Sequence, residues 1–290
     1  MLRDRRLSCR WPARPGCFTT GSATLDVPAV LCPRFGAPIV LAHGLFGFDR
    51  IGVGPITLAT YFRGLPELLR EAGNRVLVSQ VPPIAGVERR SRMLGRRIRA
   101  TFGDEPIHLI GHSMGGLDAR ALLACEGCSG RVLSLTTVAT PHLGSALADY
   151  AKLGFGRIYR LLEAFRVDHS GFHDLTRRAA RAFHRRHPAP AGIPCFSVAG
   201  DPDPADVCRP LRRLHAALAE LEGPNDGLVS VASANAFGEP LPAWPTDHLR
   251  QMGWFARRPG PSILSLYLDV FENLAALGFE APTGRRWVGL

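Results

Sequence analysis

Gly111-His112-Ser113-Met114-Gly115 follows Pro106-Ile107-His108-Leu109-Ile110 and precedes a helix-compatible segment from Gly116 onward. The apolar run reads as a buried strand, so the whole stretch predicts a strand that turns sharply into a helix. Glycines two before and two after Ser113 remove side chains where that turn crowds the backbone, leaving the hydroxyl exposed above a sheet. Ser113 is therefore the candidate nucleophile. In a chain with 31 glycines the pentapeptide also arises by chance, so its weight rests on its surroundings.

Working outward, Pro38-Ile39-Val40-Leu41-Ala42 is a second apolar run ending in His43-Gly44, a buried strand feeding a tight loop. Leu65 to Ala72 reads as helix and Asn74 to Ser79 as strand. From Glu88 to Phe102, Leu94, Ile98 and Phe102 recur at helical spacing among arginines, which predicts a surface helix whose arginines face water. Val132 to Ala139 and Ile193 to Ala199 read as strands, Arg209 to Leu221 and Ser262 to Leu277 as helices. Strands alternating with helices argue for a mainly parallel sheet with helices on both faces, in the order of an α/β-hydrolase fold. Residues 1–36, rich in Arg, Pro, Cys and Gly, read as a poorly ordered N-terminal extension, and 37–290 as one domain. Within it, 143–187 breaks the strand-helix alternation and concentrates apolar residues from Leu153 to Val167, the composition of a helical cap or lid and equally of a core helix.

Composition narrows the function classes. The 35 basic and 25 acidic residues leave a net charge of +10, and Lys152 is the only lysine. The arginines are scattered, without an aromatic-interleaved patch, which argues against nucleic acid and leaves attraction to an anionic lipid surface open. No apolar run approaches the ~18 residues of a membrane span and no secretory h-region is evident, which slightly favours the cytoplasm. Seven cysteines are an odd number; the C-x-x-C at Cys125 and Cys128 lacks a second pair and reads as structural, and Cys195 and Cys208 are a possible pair. No cofactor or metal is expected from the residues.

In the α/β-hydrolase order the acid and then the base follow the serine. Of ten histidines, His248 alone lies beyond the last acid-bearing turn. Asp226, in Asn225-Asp226-Gly227-Leu228-Val229, sits where a turn would expose a carboxylate at a strand edge, although a plain turn aspartate is its other reading. Asp247 adjoins His248, and adjacent side chains point apart. An acyl-transfer site also needs donors for an oxyanion, which the backbone N–H groups of Leu45 and Met114 are placed to provide. His43, His112 and His142 read as structural, since a triad uses one base.

His43-Gly44-Leu45-Phe46-Gly47-Phe48-Asp49, Tyr61-Phe62-Arg63-Gly64-Leu65-Pro66, Gly111 to Gly116, Pro141-His142-Leu143-Gly144-Ser145, Asn225 to Val229 and His248-Leu249 together resemble the bacterial triacylglycerol lipases of the Pseudomonas and Burkholderia type. The resemblance implies a serine carboxylic-ester hydrolase acting on acyl lipids through an acyl-enzyme, with Ser113, Asp226 and His248 as triad and Leu45 and Met114 as oxyanion hole. An acyltransferase with the same residues and a catalytically silent lipid-binding protein are the alternatives. The family also implies a calcium held partly by an aspartate two residues after the histidine. Here that residue is Arg250, expected to pair with Asp201, Asp203 or Asp206 in the metal's place.

Overall fold

The computed structural model describes residues 29–47, 50–53, 56–125, 131–154, 168–255, 262–282 and 284–289. In chain order the elements are β1 (Ala29–Cys32), β2 (Ile39–Ala42), β3 (Arg50–Val53), β4 (Ile56–Thr60), α1 (Leu65–Glu71), β5 (Val76–Val78), α2 (Val87–Phe102), β6 (Ile107–His112), α3 (Met114–Leu123) and β7 (Val132–Val138). There follow α4 (Ala146–Gly154), α5 (Ser170–Asp174), α6 (Arg177–Arg186), β8 (Cys195–Val198), α7 (Arg212–Glu222), α8 (Val231–Ala234), β9 (Glu239–Pro240), α9 (Ile263–Leu274) and β10 (Arg286–Gly289).

Six strands form one sheet in the order β5-β2-β6-β7-β8-β9, and every neighbouring pair is parallel. Parallel pairing needs crossover helices, which cover both faces and so demand strands apolar on both sides. Strand β2 shows this residue by residue. Ile39 and Leu41 join Ile110 and Val198 in a layer closed by Leu65 of α1 and by Leu264, Tyr267 and Phe271 of α9. Val40 and Ala42 join Leu109 and Leu135 in the opposite layer, closed by Leu94 and Ile98 of α2 and by Ala119 and Leu122 of α3. A run with alternate residues in two cores loses the polar-apolar alternation of a half-exposed strand.

The structure corrects two expectations. Strand β1 pairs antiparallel with β10, Ala29 opposite Gly289 through Cys32 opposite Arg286, and Cys32 and Phe35 are buried. The folded part therefore includes Ala29 to Gly36, upstream of the expected start at Ala37, because the chain's end supplies a partner strand that no local pattern announces. In α2, Arg89, Arg92, Arg96, Arg97 and Arg99 do face water, but Arg90 is fully buried. Most of the apolar run from Leu153 to Val167 lies outside the described residues, as does Cys128; Cys195 and Cys208 are both free thiols in separate apolar clusters.

Candidate active site

Strand β6 delivers the serine. Ser113 holds φ +56° and ψ −130°, a conformation rare for a residue with a side chain. Its amide donates to the Val138 carbonyl at 2.8 Å, so neighbouring strand β7 helps hold the turn. The flanking glycines are required by approach: a Cβ on Gly111 would lie 2.6 Å from Gly116, and one on Gly115 would lie 2.2 Å from the Ala42 carbonyl oxygen. The N–H of Met114, first residue of α3, is among the helix's unpaired N-terminal donors.

Ser113, His248 and Leu45 line one cavity of about 610 Å³ whose walls are otherwise almost entirely apolar. His248 Nδ1 donates to Asp226 Oδ2 at 2.7 Å, with both side chains buried. That bond fixes the imidazole tautomer and leaves Nε2 as the acceptor. Asp226 is itself seated: its Oδ1 accepts the amides of Leu228 at 3.0 Å and Val229 at 2.8 Å, and its carbonyl accepts the His248 amide at 2.9 Å. Asp247 is occupied elsewhere, accepting the amides of Cys208, Leu249 and Arg250.

The loop after β2 is held from beneath. The Gly44 carbonyl accepts from His43 Nδ1 at 3.0 Å, from Arg90 Nη2 at 3.2 Å and from the Gly47 amide at 3.1 Å. In a trans peptide the C=O of Gly44 and the N–H of Leu45 point in opposite directions. Three donors on the carbonyl therefore aim the Leu45 N–H the other way. Arg90 also donates to the carbonyls of His43 at 2.6 Å and Pro82 at 2.9 Å, and its charge is met by Asp118 at 2.8 Å. Burial pushes the Asp118 carboxyl up to about 6 against the pull of Arg90. Burial, and then the Arg90 charge, brings His43 down to about 4, so it serves as a neutral hydrogen-bonding group.

Sequence reading missed Arg90 and Asp118. Their signal was a charge at an inward position, Arg90 standing four residues before Leu94 on the helix's apolar stripe. It also missed Tyr61 and Gln251, which touch this site from distant segments. His142, expected to be structural, is buried, with Nδ1 receiving a bond from Arg120 at 2.9 Å and Nε2 lying 3.1 Å from Thr137 Oγ1.

Arg250 forms an ion pair with Asp247 at 3.4 Å, donates to the Phe255 carbonyl at 3.0 Å and donates to the Asp206 carbonyl. The expected link to the 201–206 loop is thus made through a main-chain oxygen, and the ion pair adds Asp247, outside the expected set. The resemblance's calcium does not fit these residues, because a guanidinium already sits against the carboxylate and carbonyl that a cation would use.

Residues 89–187 match the α/β-hydrolase fold family. Over 83% of its length the chain is 27% identical to triacylglycerol lipase 2 of Saccharomyces cerevisiae, covering 92% of that protein. It is 41% identical to the triacylglycerol lipase of Pseudomonas fragi over 41% of this chain and 39% of that one. Against the lipase of Burkholderia plantarii it is 31% identical over 40% of this chain and 32% of that enzyme, so it spans well under half of these bacterial relatives. Among solved structures, Staphylococcus hyicus lipase superposes with a TM-score of 0.66 at 18% identity, covering 83% of this chain and 96% of that one. The metagenomic carboxyl esterase MGS0156 gives 0.68 at 21% identity, over 82% and 76%. With its parallel sheet, its strained serine between β6 and α3 and these likenesses, the chain has the α/β-hydrolase fold and is similar over part of its length to the bacterial triacylglycerol lipases.

Proposed function

We propose that this protein is a serine carboxylic-ester hydrolase acting on acyl esters of lipid character. The observation that carries the reading is the 2.7 Å bond from His248 Nδ1 to Asp226 in a cavity shared with Ser113. His248 Nε2 takes the Ser113 proton as Oγ attacks the ester carbonyl, and Asp226 stabilises the imidazolium. The N–H groups of Leu45 and Met114 receive the oxyanion. The alcohol leaves with the proton from His248, and water activated by the same imidazole releases the acid.

An apolar wall of Leu147, Leu175, Leu228 and Met252 suits an acyl chain. At the mouth, Phe46 is 62% exposed, Phe255 53% and Leu214 39%. Large apolar side chains grouped at a pocket rim favour transient contact with a lipid surface, and the net charge of +10 adds attraction to anionic lipid. Among the described residues no helix is long and apolar enough to cross a membrane. Nitrophenyl esters of increasing acyl length test the reading with wild type and Ser113→Ala. The expected result is a loss of at least ~10³-fold in kcat for the variant. Equal activity in the two proteins would remove Ser113 from the mechanism.

A further inference from the structure

Tyr61 precedes α1, His112 ends β6 and Gln251 follows the segment carrying His248, yet their polar groups form one unbroken chain. The Gly44 amide donates to Tyr61 Oη at 3.0 Å, and Tyr61 Oη lies 2.9 Å from His112 Nδ1. His112 Nε2 lies 3.0 Å from Gln251 Oε1, and Gln251 Nε2 donates to Asp226 Oδ2 at 3.3 Å. All four side chains are buried. One end of the chain is the oxyanion loop and the other is the triad carboxylate.

The direction of every bond follows from the charge at Asp226. One end of the Gln251 amide faces two acceptors, Asp226 Oδ2 and the Thr246 carbonyl at 3.4 Å, so that end is the NH₂. The amide oxygen then faces His112, whose Nε2 must carry a proton to meet it. A neutral ring protonated at Nε2 is bare at Nδ1. Tyr61 must donate there, which leaves its oxygen to accept the Gly44 N–H. The ring faces His248 at a centroid distance of 4.7 Å, with Tyr61 at 5.8 Å and Phe62 at 6.5 Å. A second imidazolium beside the base that must become charged is thereby disfavoured, and burial holds His112 well below its ordinary value.

At both ends this chain lies against backbone that has no room for a side chain. A Cβ on Gly44 would lie 2.7 Å from Tyr61 Oη and 2.8 Å from Ser113 Cβ, and one on Gly200 would lie 2.2 Å from Gln251 Nε2, 2.6 Å from the Thr246 carbonyl oxygen and 2.7 Å from Asp226 Cβ. Neither approach tolerates a side chain.

We propose that Tyr61, His112 and Gln251 are positioning residues that form a one-directional hydrogen-bond relay, keeping the oxyanion loop and the Asp226–His248 pair in register with the His112 proton fixed on Nε2. The proposal rests on the ester-hydrolase reading for its kinetic consequence and not for its geometry. A mispositioned loop weakens oxyanion binding in the transition state while leaving ground-state binding of the acyl chain alone, so the relay acts on kcat more than on KM.

Two measurements test it. Long-range proton–nitrogen NMR on histidine-labelled wild type, with His112 assigned by its loss in His112→Asn, is expected to show Nε2 protonated and Nδ1 bare from pH 5 to pH 9. An Nδ1-protonated ring, or titration of His112 in that range, overturns the relay. In a double-mutant cycle, Tyr61→Phe and Gln251→Met are each expected to lower kcat about tenfold with KM nearly unchanged, and the double variant to lose little more than either. Losses that simply multiply show two independent structural defects and overturn the coupling. If wild type and Ser113→Ala prove equally active, the hydrolase reading fails, and the NMR measurement still decides the relay.

Discussion

The two walls of the cavity are built on opposite physical terms. The floor, formed by the ends of β2 and β6 and the loops carrying Asp226 and His248, is polar, buried and joined bond to bond; Arg90 and Asp118 are 0% and 1% exposed. The roof, where Leu147 and Ala148 of α4, Phe172 of α5 and Leu175 line the cavity, is held by partly solvated contacts. Arg177 meets Asp149 at 2.6 Å with side chains 40% and 31% exposed, Asp174 caps the Val87 amide at 2.8 Å, and Phe172 meets Phe46 edge to face at 5.4 Å. Low dielectric makes each floor contact costly to break, whereas water can replace a roof contact. Ser113, Asp226 and His248 therefore stand on the wall whose contacts cost more to break.

The largest expected effect comes from breaking the floor at Arg90. Arg90→Met leaves Asp118 buried without its partner and should cost about 3–5 kcal/mol of stability, read by urea unfolding. It should also lower kcat, since the Gly44 carbonyl loses a donor. Arg90→Met with Asp118→Leu separates the two roles: a matched apolar pair should restore most of the stability while kcat stays low. Recovery of both would show that Arg90 supports folding without aiming the loop.

A smaller effect comes from acid. Burial brings His43 and His108 down to about 4 and holds His112 and His142 well below the ordinary histidine value. The unfolded chain takes up protons on these rings below about 6.5 that the fold refuses, so stability is present above that pH and is lost as pH falls toward 4. Asp118 runs the other way. Its carboxyl, held up at about 6 in the fold, keeps a proton between about 4 and 6 that the unfolded chain has lost, which favours the fold as pH falls. Burial also lowers His184 and raises Asp269, so five bases stand against two acids; the melting temperature should drop between pH 6.5 and 4.5, and His108→Gln should flatten the slope. A melting temperature that rises on acidification would contradict the picture of a floor of neutral imidazoles.

The smallest effect is expected at the roof. Asp149→Ala removes the Arg177 ion pair, yet at this exposure the loss should stay below about 1 kcal/mol. Its readout is the acyl-length profile rather than the melting temperature. A loss as large as that of Arg90→Met would erase the distinction between the two walls.

How much was legible follows from the range of each interaction. The sheet was readable because a strand buried on both faces must be apolar throughout, as Ile39 to Ala42 is. The β1–β10 pairing was not, because its two halves lie at opposite ends of the described chain and neither carries a strong local pattern. Ser113 was marked by glycines that a sharp turn requires. Asp226 and His248 followed from chain order, and the structure places them 2.7 Å apart.

The sequence by itself determined the strands and helices of the parallel sheet and marked Ser113, Asp226 and His248 as candidates, because periodicity, turn chemistry and chain order are local or one-dimensional signals. Only the tertiary structure decided which charge goes inside. An arginine on a helix face looks solvated until Asp118 and the carbonyls of His43 and Gly44 come into reach, since a buried charge is stabilised by partners far away in the chain. Gln251 is the same case. Nothing beside it in the chain shows that its amide lies between His112 and the Asp226 carboxylate, because hydrogen bonds are specified by angstroms in space rather than by spacing along the sequence.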